Sequence, residues 1–357
     1  MTAFPRTVVV GSGIIGSALA YALAKRGAPV TVVDEDVPAN RATRGSFAWI
    51  NAHRPEDADY FALRLDSMRL WRGLADEIDG LPVRLGGALN WEEPERIEAV
   101  ARALDEGGNT ARLVSRARIR EMEPALAAPP EIAIDAPLEG VADPDRIAES
   151  LLIAAAALGA EVRAGVRVTG IAETNGRITG VETSAGPVEA ERVVVAAGRA
   201  TPAILAGVGV SLPMKTPLGL LVRTTSAPRL SQRIFTSDAL HVWQMDDGRL
   251  ILGEDFGGSE VGSQAERAEI EARVIARAQT AFANVPLSLD ASTVTARPVP
   301  EDGYPAVGRI PGLDGLLVAT MHSGVTLAPV MARELTAMVL DDAEAGVLAR
   351  YGIERFA

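Results

Sequence analysis

A chain of 357 residues is long enough to bury a large core and to divide into two lobes. With 48% hydrophobic and 23% charged residues it has an ordinary globular composition, and its greasiest run, 151–158, is far too short for a membrane span. A formal charge of −12 disfavours nucleic acid and anionic lipid as partners, and the absence of cysteine removes disulfides, thiolate metal sites and cysteinyl attachment of any cofactor. Residues 1–6 carry no signal-peptide pattern and lead almost at once into structure, so a cytoplasmic location is expected.

The β-branched run at 7–10 predicts a buried parallel strand, broken by Gly11, Gly13 and Gly16 in G-x-G-x-x-G spacing. Gly11 permits a sharp turn, Gly13 lets a pyrophosphate approach the backbone, and Gly16 lets the next helix lie close to the strand. That helix carries Ile14, Ala18, Tyr21, Ala22 and Lys25 at helical spacing and stops at Gly27. A second strand at 29–33 ends on Asp34, placed to accept ribose hydroxyls. Strand, glycine turn, helix, strand and acid together predict a dinucleotide site, the alternative being a glycine-rich turn with no ligand.

The following stretch, RATRGSFAWIN, offers Thr43, Arg44, Gly45 and Ser46 either as an exposed loop or as a cradle under a cofactor. Apolar residues at 61, 65, 68, 71 and 74 predict an amphipathic helix over 59–74 with Met68 and Trp71 in the core. Strand, Gly86-Gly87 turn and strand are expected over 81–91, a charged helix over 94–107, and a strand plus helix over 110–122 that Pro124 ends. Asp143 is read as the cap of a helix with Pro144 in its first turn and Gly159 at its close. Asn175-Gly176 marks a hairpin between 167–173 and 178–184, and ERVVVAAG at 191–198 repeats the opening strand's pattern. Strands at 215–225, 234–244, 249–254 and 292–298, with a covering helix at 262–285, make a sheet-rich segment. The chain closes with a strand at 316–320, a turn at His322-Ser323-Gly324 and a helix at 327–340. A second helix N-terminus aimed at a ligand is not expected of a plain nicotinamide enzyme and suits the anionic reduced ring of a flavin.

Three segments carry a resemblance: VVVGSGIIGSALAYALAKRGAPVTVVD at the start, ADPDRIAESLLIAAAALGAEV with VRVTGI and RVVVAAG in the middle, and EDGYPAVGRIPGLDGLLVATMHSGVTLAP near the end. Together they resemble the D-amino-acid oxidase family of FAD-dependent oxidoreductases. The resemblance implies an α/β plus α+β protein, with a Rossmann-like FAD-binding domain from 1–79, 139–213 and 300–357 and a discontinuous, sheet-rich substrate domain from 80–138 and 214–299. It implies non-covalent FAD held by Gly11, Ser12, Gly13, Ile14, Ile15, Gly16, Asp34, Glu35 and Arg41, by Thr43, Arg44, Gly45 and Ser46, and by Val168, Ala197 and Gly198. Beside the flavin it places Met321, His322, Ser323, Gly324, Val325, Thr326 and Leu327.

The implied reaction oxidises the C–N bond of a small amine or amino acid to an imine, by hydride transfer to flavin N5, with oxygen or another electron acceptor. Candidate substrate-end residues are His322, His53, Arg54, His241 and Trp243, with Gln244, Lys215 and Glu254 as further possibilities on the same segments. Relatives that resemble glycine oxidase carry an arginine where this chain has His322, so Arg54, Arg44 or Arg223 is expected to supply the charge for a carboxylate. The strand at 249–254 has no lysine of the kind that activates oxygen in sarcosine oxidases, which keeps a dehydrogenase open. An NAD-dependent dehydrogenase using only the first site, or a flavoprotein subunit without its own turnover, are the alternative functions.

Overall fold

The opening run Thr7–Val10 lies at the centre of a six-stranded sheet, ordered Ala306–Arg309, Leu316–Thr320, Arg192–Val195, Thr7–Val10, Val30–Asp34, Glu161–Ala164. All neighbours are parallel except the first pair, where Ala306–Arg309 runs antiparallel along the edge. Its inner strands are valine-rich because both faces are covered. Val9, Val32, Val194 and Leu317 point into one core, with the helices Ile14–Lys25, Ile147–Ala157 and Gly324–Leu340. Val8, Val10, Val33, Val193, Val195 and Val318 point into another, beneath a three-stranded sheet of Val168–Thr174, Arg177–Thr183 and Val188–Glu189. This computed structural model describes residues 4–37, 40–53, 55–93, 95–254 and 264–356.

A second, eight-stranded sheet is assembled from distant parts of the chain: Leu289–Ala296, Leu218–Thr224, Leu250–Gly253, His241–Gln244, Ile234–Thr236, Ala88–Asn90, Ile132–Ala136 and Arg112–Ser115, in that order. One face packs under the helix Gln264–Ala281 through Ile270, Val274 and Ala278 against Val222, Val242 and Leu252. The opposite face turns Leu221, Trp243 and Ile251 toward Trp49 and Val141. Alternation along His241–Gln244 therefore sets His241 and Trp243 on the side away from the covering helix.

Local expectations and structure differ at four places. Val83–Arg84 and Ala88–Asn90 do not pair with each other: the first joins Gly140–Ala142, the second lies between Ile132–Ala136 and Ile234–Thr236. The stretch expected as one strand at 234–244 is a hairpin of two. Asp143 stands before its helix, which begins at Ile147; its side chain accepts the Asp145 N–H and its carbonyl the Ile147 N–H. The closing helix begins at Gly324, directly on the turn, with Pro329 inside it. Proline's missing N–H leaves the Val325 carbonyl without its helical donor, and the indole of buried Trp71 takes that place at 2.9 Å. The expected hairpin at Asn175-Gly176 is present, both residues having positive φ (52° and 79°) as a two-residue type I′ turn requires.

Candidate active site

The glycine turn is built by close backbone approach. Gly11 has φ +106°, and a methyl group there would lie 2.5 Å from the Ala196 carbonyl oxygen; at Gly16 it would lie 1.9 Å from the Gly11 oxygen. At Gly13, by contrast, the nearest neighbour is Thr43 Oγ1 at 3.5 Å, and the residue borders open space. Asp34 is pinned at the end of its strand: Oδ2 accepts the Ser12 N–H and hydroxyl at 2.6 and 2.7 Å, and Oδ1 accepts the Asp36 N–H at 3.0 Å. The loop after it folds over the helix start, where Thr43 Oγ1 accepts the Ile14 N–H at 3.1 Å. Gly45 fits because Thr295 of the second sheet lies against it, leaving no room for a Cβ.

One cavity of about 950 Å³ begins at this turn and continues between the two sheets. From the glycine turn it is lined by Gly11, Gly13, Ile14 and Ile15, and from the second strand's end by Asp34 and Glu35. Arg41, Thr43, Gly45 and Ser46 line it from the loop, and Val168, Ala197 and Gly198 from the far side of the sheet. Met321, His322, Ser323, Gly324, Val325 and Thr326 close it, facing His53 and His241.

Several expected residues stand elsewhere. Ser12 and Gly16 are buried behind the turn, and Leu327 points into the helical core. Arg44 turns to Asp145 at 3.7 Å, and Arg223, buried, bonds Asp145 and the Arg44 carbonyl, so neither reaches the cavity to supply a substrate-binding charge. Trp243 lies under the wall, its indole donating to the Phe47 carbonyl at 2.8 Å. Gln244 clamps the 227–230 loop, Lys215 bonds the Glu301 carbonyl, and Glu254 pairs with Arg273 and Arg277, all away from the cavity. Arg54 lies outside the described residues.

The closing helix delivers its first turn to the same space. No side chain caps it and no acid sits in its first turn, and Gly324 lies against Ile14 and Ile15, so the starts of both helices border one cavity. His322 exposes its ring to the cavity while protein surrounds it otherwise. Burial, then the positive charges of Arg297 and Arg64, lower its pKa to about 4, so it is neutral at physiological pH.

These two arginines are the cations that reading the sequence missed. Arg64 lines the cavity from Ala58–Glu77; it donates to the Asn51 carbonyl at 3.0 Å and to the Asn51 side chain, and lies over the Tyr60 ring. Its signal was a charge inside the apolar stripe, between Phe61 and Met68. Arg297 follows Leu289–Ala296 and extends past Gly219, where a Cβ would meet its guanidinium at 2.5 Å. Nothing local marks it.

Two carboxyls stand behind the wall. Glu92 Oε1 lies 2.7 Å from His241 Nε2, both side chains nearly buried. Glu139, fully buried, accepts from the Trp49 indole at 2.8 Å and the Asn109 amide at 3.1 Å; burial pushes its pKa up to about 7 against those bonds and the charge of Arg64.

Strand ends of a parallel sheet, two helix starts, an acid beyond the second strand and a cationic far end, all on one long cavity, define a dinucleotide-dependent oxidoreductase. The family model described as FAD dependent oxidoreductase matches residues 6–338, and the chain belongs to that family, the D-amino-acid oxidase group. It is 26% identical to the glycine oxidase of Bacillus subtilis (strain 168), over 94% of this chain and 92% of that one. It is 27% identical to an opine oxidase polypeptide of Agrobacterium tumefaciens (strain Ach5), over 94% of each. The crystal structure of L-proline dehydrogenase from P. horikoshii superposes with a TM-score of 0.87 at 22% identity, covering 100% of this chain and 98% of that one, a likeness of fold. The expected fold class and the expected FAD-dependent oxidoreductase are both found. FAD fits the site: Gly13 and the uncapped helix start at Gly324 leave backbone open to a ligand at two separated points of the cavity. Among the described residues no helix is long and apolar enough to cross a membrane, and no group of acids and histidines is arranged to hold a metal.

Proposed function

We propose that this protein oxidises the C–N bond of a small amino acid or N-alkyl amino acid to an imine, using non-covalently held FAD and passing electrons to oxygen or another acceptor. The observation that carries this reading is the pair of guanidiniums, Arg297 and Arg64, acting on a neutral His322 where the closing turn lines the cavity. FAD supplies a two-electron acceptor for the hydride of the substrate's α-carbon. The first helix start and Gly13 would hold its diphosphate, Asp34 a ribose hydroxyl, Val168 the adenine, and residues 43–46 with the first turn of Gly324–Leu340 its ring end. In this division of labour, 1–79, 139–213 and 300–357 hold the cofactor, while 80–138 and 214–299 cover the substrate.

Arg297 would hold the substrate carboxylate through two parallel N–H donors, which fixes the α-carbon in one orientation. His322, uncharged, neither competes for that carboxylate nor repels an approaching cation. The two sheets close over the site and exclude water, and the cysteine-free chain leaves no thiolate to compete for an electrophilic ring. Glycine oxidase, opine oxidase and L-proline dehydrogenase, by their names, act on amino acids or their derivatives, which supports a carboxylate next to the oxidised bond. Leu250–Gly253 carries no lysine, which supports an acceptor other than oxygen.

Anaerobic mixing of the yellow holoprotein with glycine, sarcosine, D-alanine, L-proline, iminodiacetate and benzylamine tests the reading. Bleaching of the flavin by at least one carboxylate-bearing member, and not by benzylamine, is the expected result. A colourless protein that turns over only with added NAD, or a flavin that no member bleaches, overturns it.

A further inference from the structure

The ammonium group of an amino acid must lose a proton before its nitrogen pair can form a C=N bond, and that proton needs an acceptor. Neither arginine can accept it, and His322, with a pKa of about 4, holds a proton poorly near neutrality. His241 borders the same cavity from the second sheet, and behind it Glu92 Oε1 approaches Nε2 to 2.7 Å, with the two side chains 8% and 12% exposed. That oxygen is buried and receives no hydrogen bond among the described residues, so the contact becomes a charge-assisted bond when Nε2 carries a proton.

We propose that His241 and Glu92 form a proton-accepting pair, in which His241 takes the ammonium proton of the bound amino acid and Glu92 positions and stabilises the resulting imidazolium. The inference rests on the amine-oxidation reading and deepens it. In the step, one N–H bond of the ammonium breaks, its electron pair stays on nitrogen, and the proton passes to the imidazole. Burial alone would raise the Glu92 carboxyl, but His241 and His53 outweigh it and hold it below the usual carboxylate range, so it stays ionised. Such a carboxylate behind an imidazole sets its orientation and favours its charged form.

The surroundings of His241 leave Glu92 as its counter-charge. Phe47, also on the cavity, lies with its ring 6.0 Å from the imidazole. His53 enters from the loop after Trp49–Ile50, its ring 5.9 Å from Trp49. On the neighbouring strand end Glu254 is engaged by Arg273 and Arg277, and Asp238, in the turn before His241, accepts the Glu93 N–H at 3.2 Å.

The test follows anaerobic flavin bleaching, by whichever of glycine, sarcosine, D-alanine, L-proline and iminodiacetate is fastest, across pH in the wild type, His241→Gln and Glu92→Gln holoproteins. Near neutral pH the His241 variant should be slower by roughly 100-fold, with its rate climbing about tenfold per pH unit and meeting the wild type once the free amine dominates in solution. Glu92→Gln should show a smaller loss of the same shape. A second readout needs no turnover: binding of α-aminoisobutyrate, which has no α-hydrogen, read from the flavin absorbance shift. Its Kd should be nearly independent of pH above neutrality in the wild type, and fall about tenfold per unit in His241→Gln, because binding then releases the proton to solvent. Overlapping pH profiles, a rate loss that persists at high pH, or equal Kd slopes would overturn the pair while leaving amine oxidation standing. A wild-type flavin that none of the five bleaches removes the amine-oxidation reading, and this inference with it.

Discussion

Arg297 and His322 show how charge is apportioned at the cationic end of the cavity. A histidine in the closing turn, desolvated and facing two guanidiniums, is poor as an anion receptor, and the arginines take that work. Arg297→Ala is therefore expected to raise KM for the carboxylate substrate by about 100-fold, the loss of a charge-assisted bond of about 3 kcal/mol, with FAD content unchanged. An unaltered KM would move the carboxylate elsewhere. Arg64, held by Asn51, was visible in the sequence only as a break in an apolar stripe; Arg297 had no signature, because the strand before it reads the same whether its end faces solvent or a ligand.

The opening strand and helix depend on a contact that one methyl group destroys. A Cβ at Gly16 would sit 1.9 Å from the backbone oxygen of Gly11, an atom that cannot swing aside as a side-chain tip would. Gly16→Ala is expected to lift the helix from the strand, cost about 3 kcal/mol and yield a colourless protein, checked by the ratio of flavin to protein absorbance and by thermal melting. Full FAD content in the variant would show that the helix start is not what holds the diphosphate. This supersecondary unit was legible because its requirements are local: β-branched residues for a doubly covered strand, glycines for close approach, and an acid at a set distance. The 81–91 stretch was not, since Gly86-Gly87 between two short apolar runs allows a hairpin as well as two strands that part company, and the partners at 132–142 and 234–236 decide between them.

Buried carboxyls couple the fold to pH. Unfolded, Glu139 ionises in the ordinary carboxylate range; folded, burial raises it to about 7, so between those values the native state holds the extra proton. Its contribution to stability therefore falls as pH rises across that window, and Glu123, raised to about 7 by burial, acts in the same direction. His322, lowered to about 4, acts oppositely between there and its usual value, so a difference measurement is needed. Relative to the wild type, Glu139→Gln should gain unfolding free energy on the order of 3 kcal/mol between about pH 5 and pH 8 in denaturant melts. A constant difference across that range would mean that Glu139 titrates normally.

Family, cofactor class and the order of the main strands were carried by the sequence itself, because glycine spacing, β-branched runs and the Asn175-Gly176 turn act over a few residues and mean much the same in any surroundings. Tertiary structure alone decided which charges meet at the substrate end. Glu92 and His241 come from strands far apart in the chain, Arg64 from a helix and Arg297 from beyond a strand's end, and only the stacking of two sheets around one cavity gathers them. An isolated charged residue has the same local pattern on a solvated face as in a site; desolvation and neighbours separate the two, and both are properties of the folded chain.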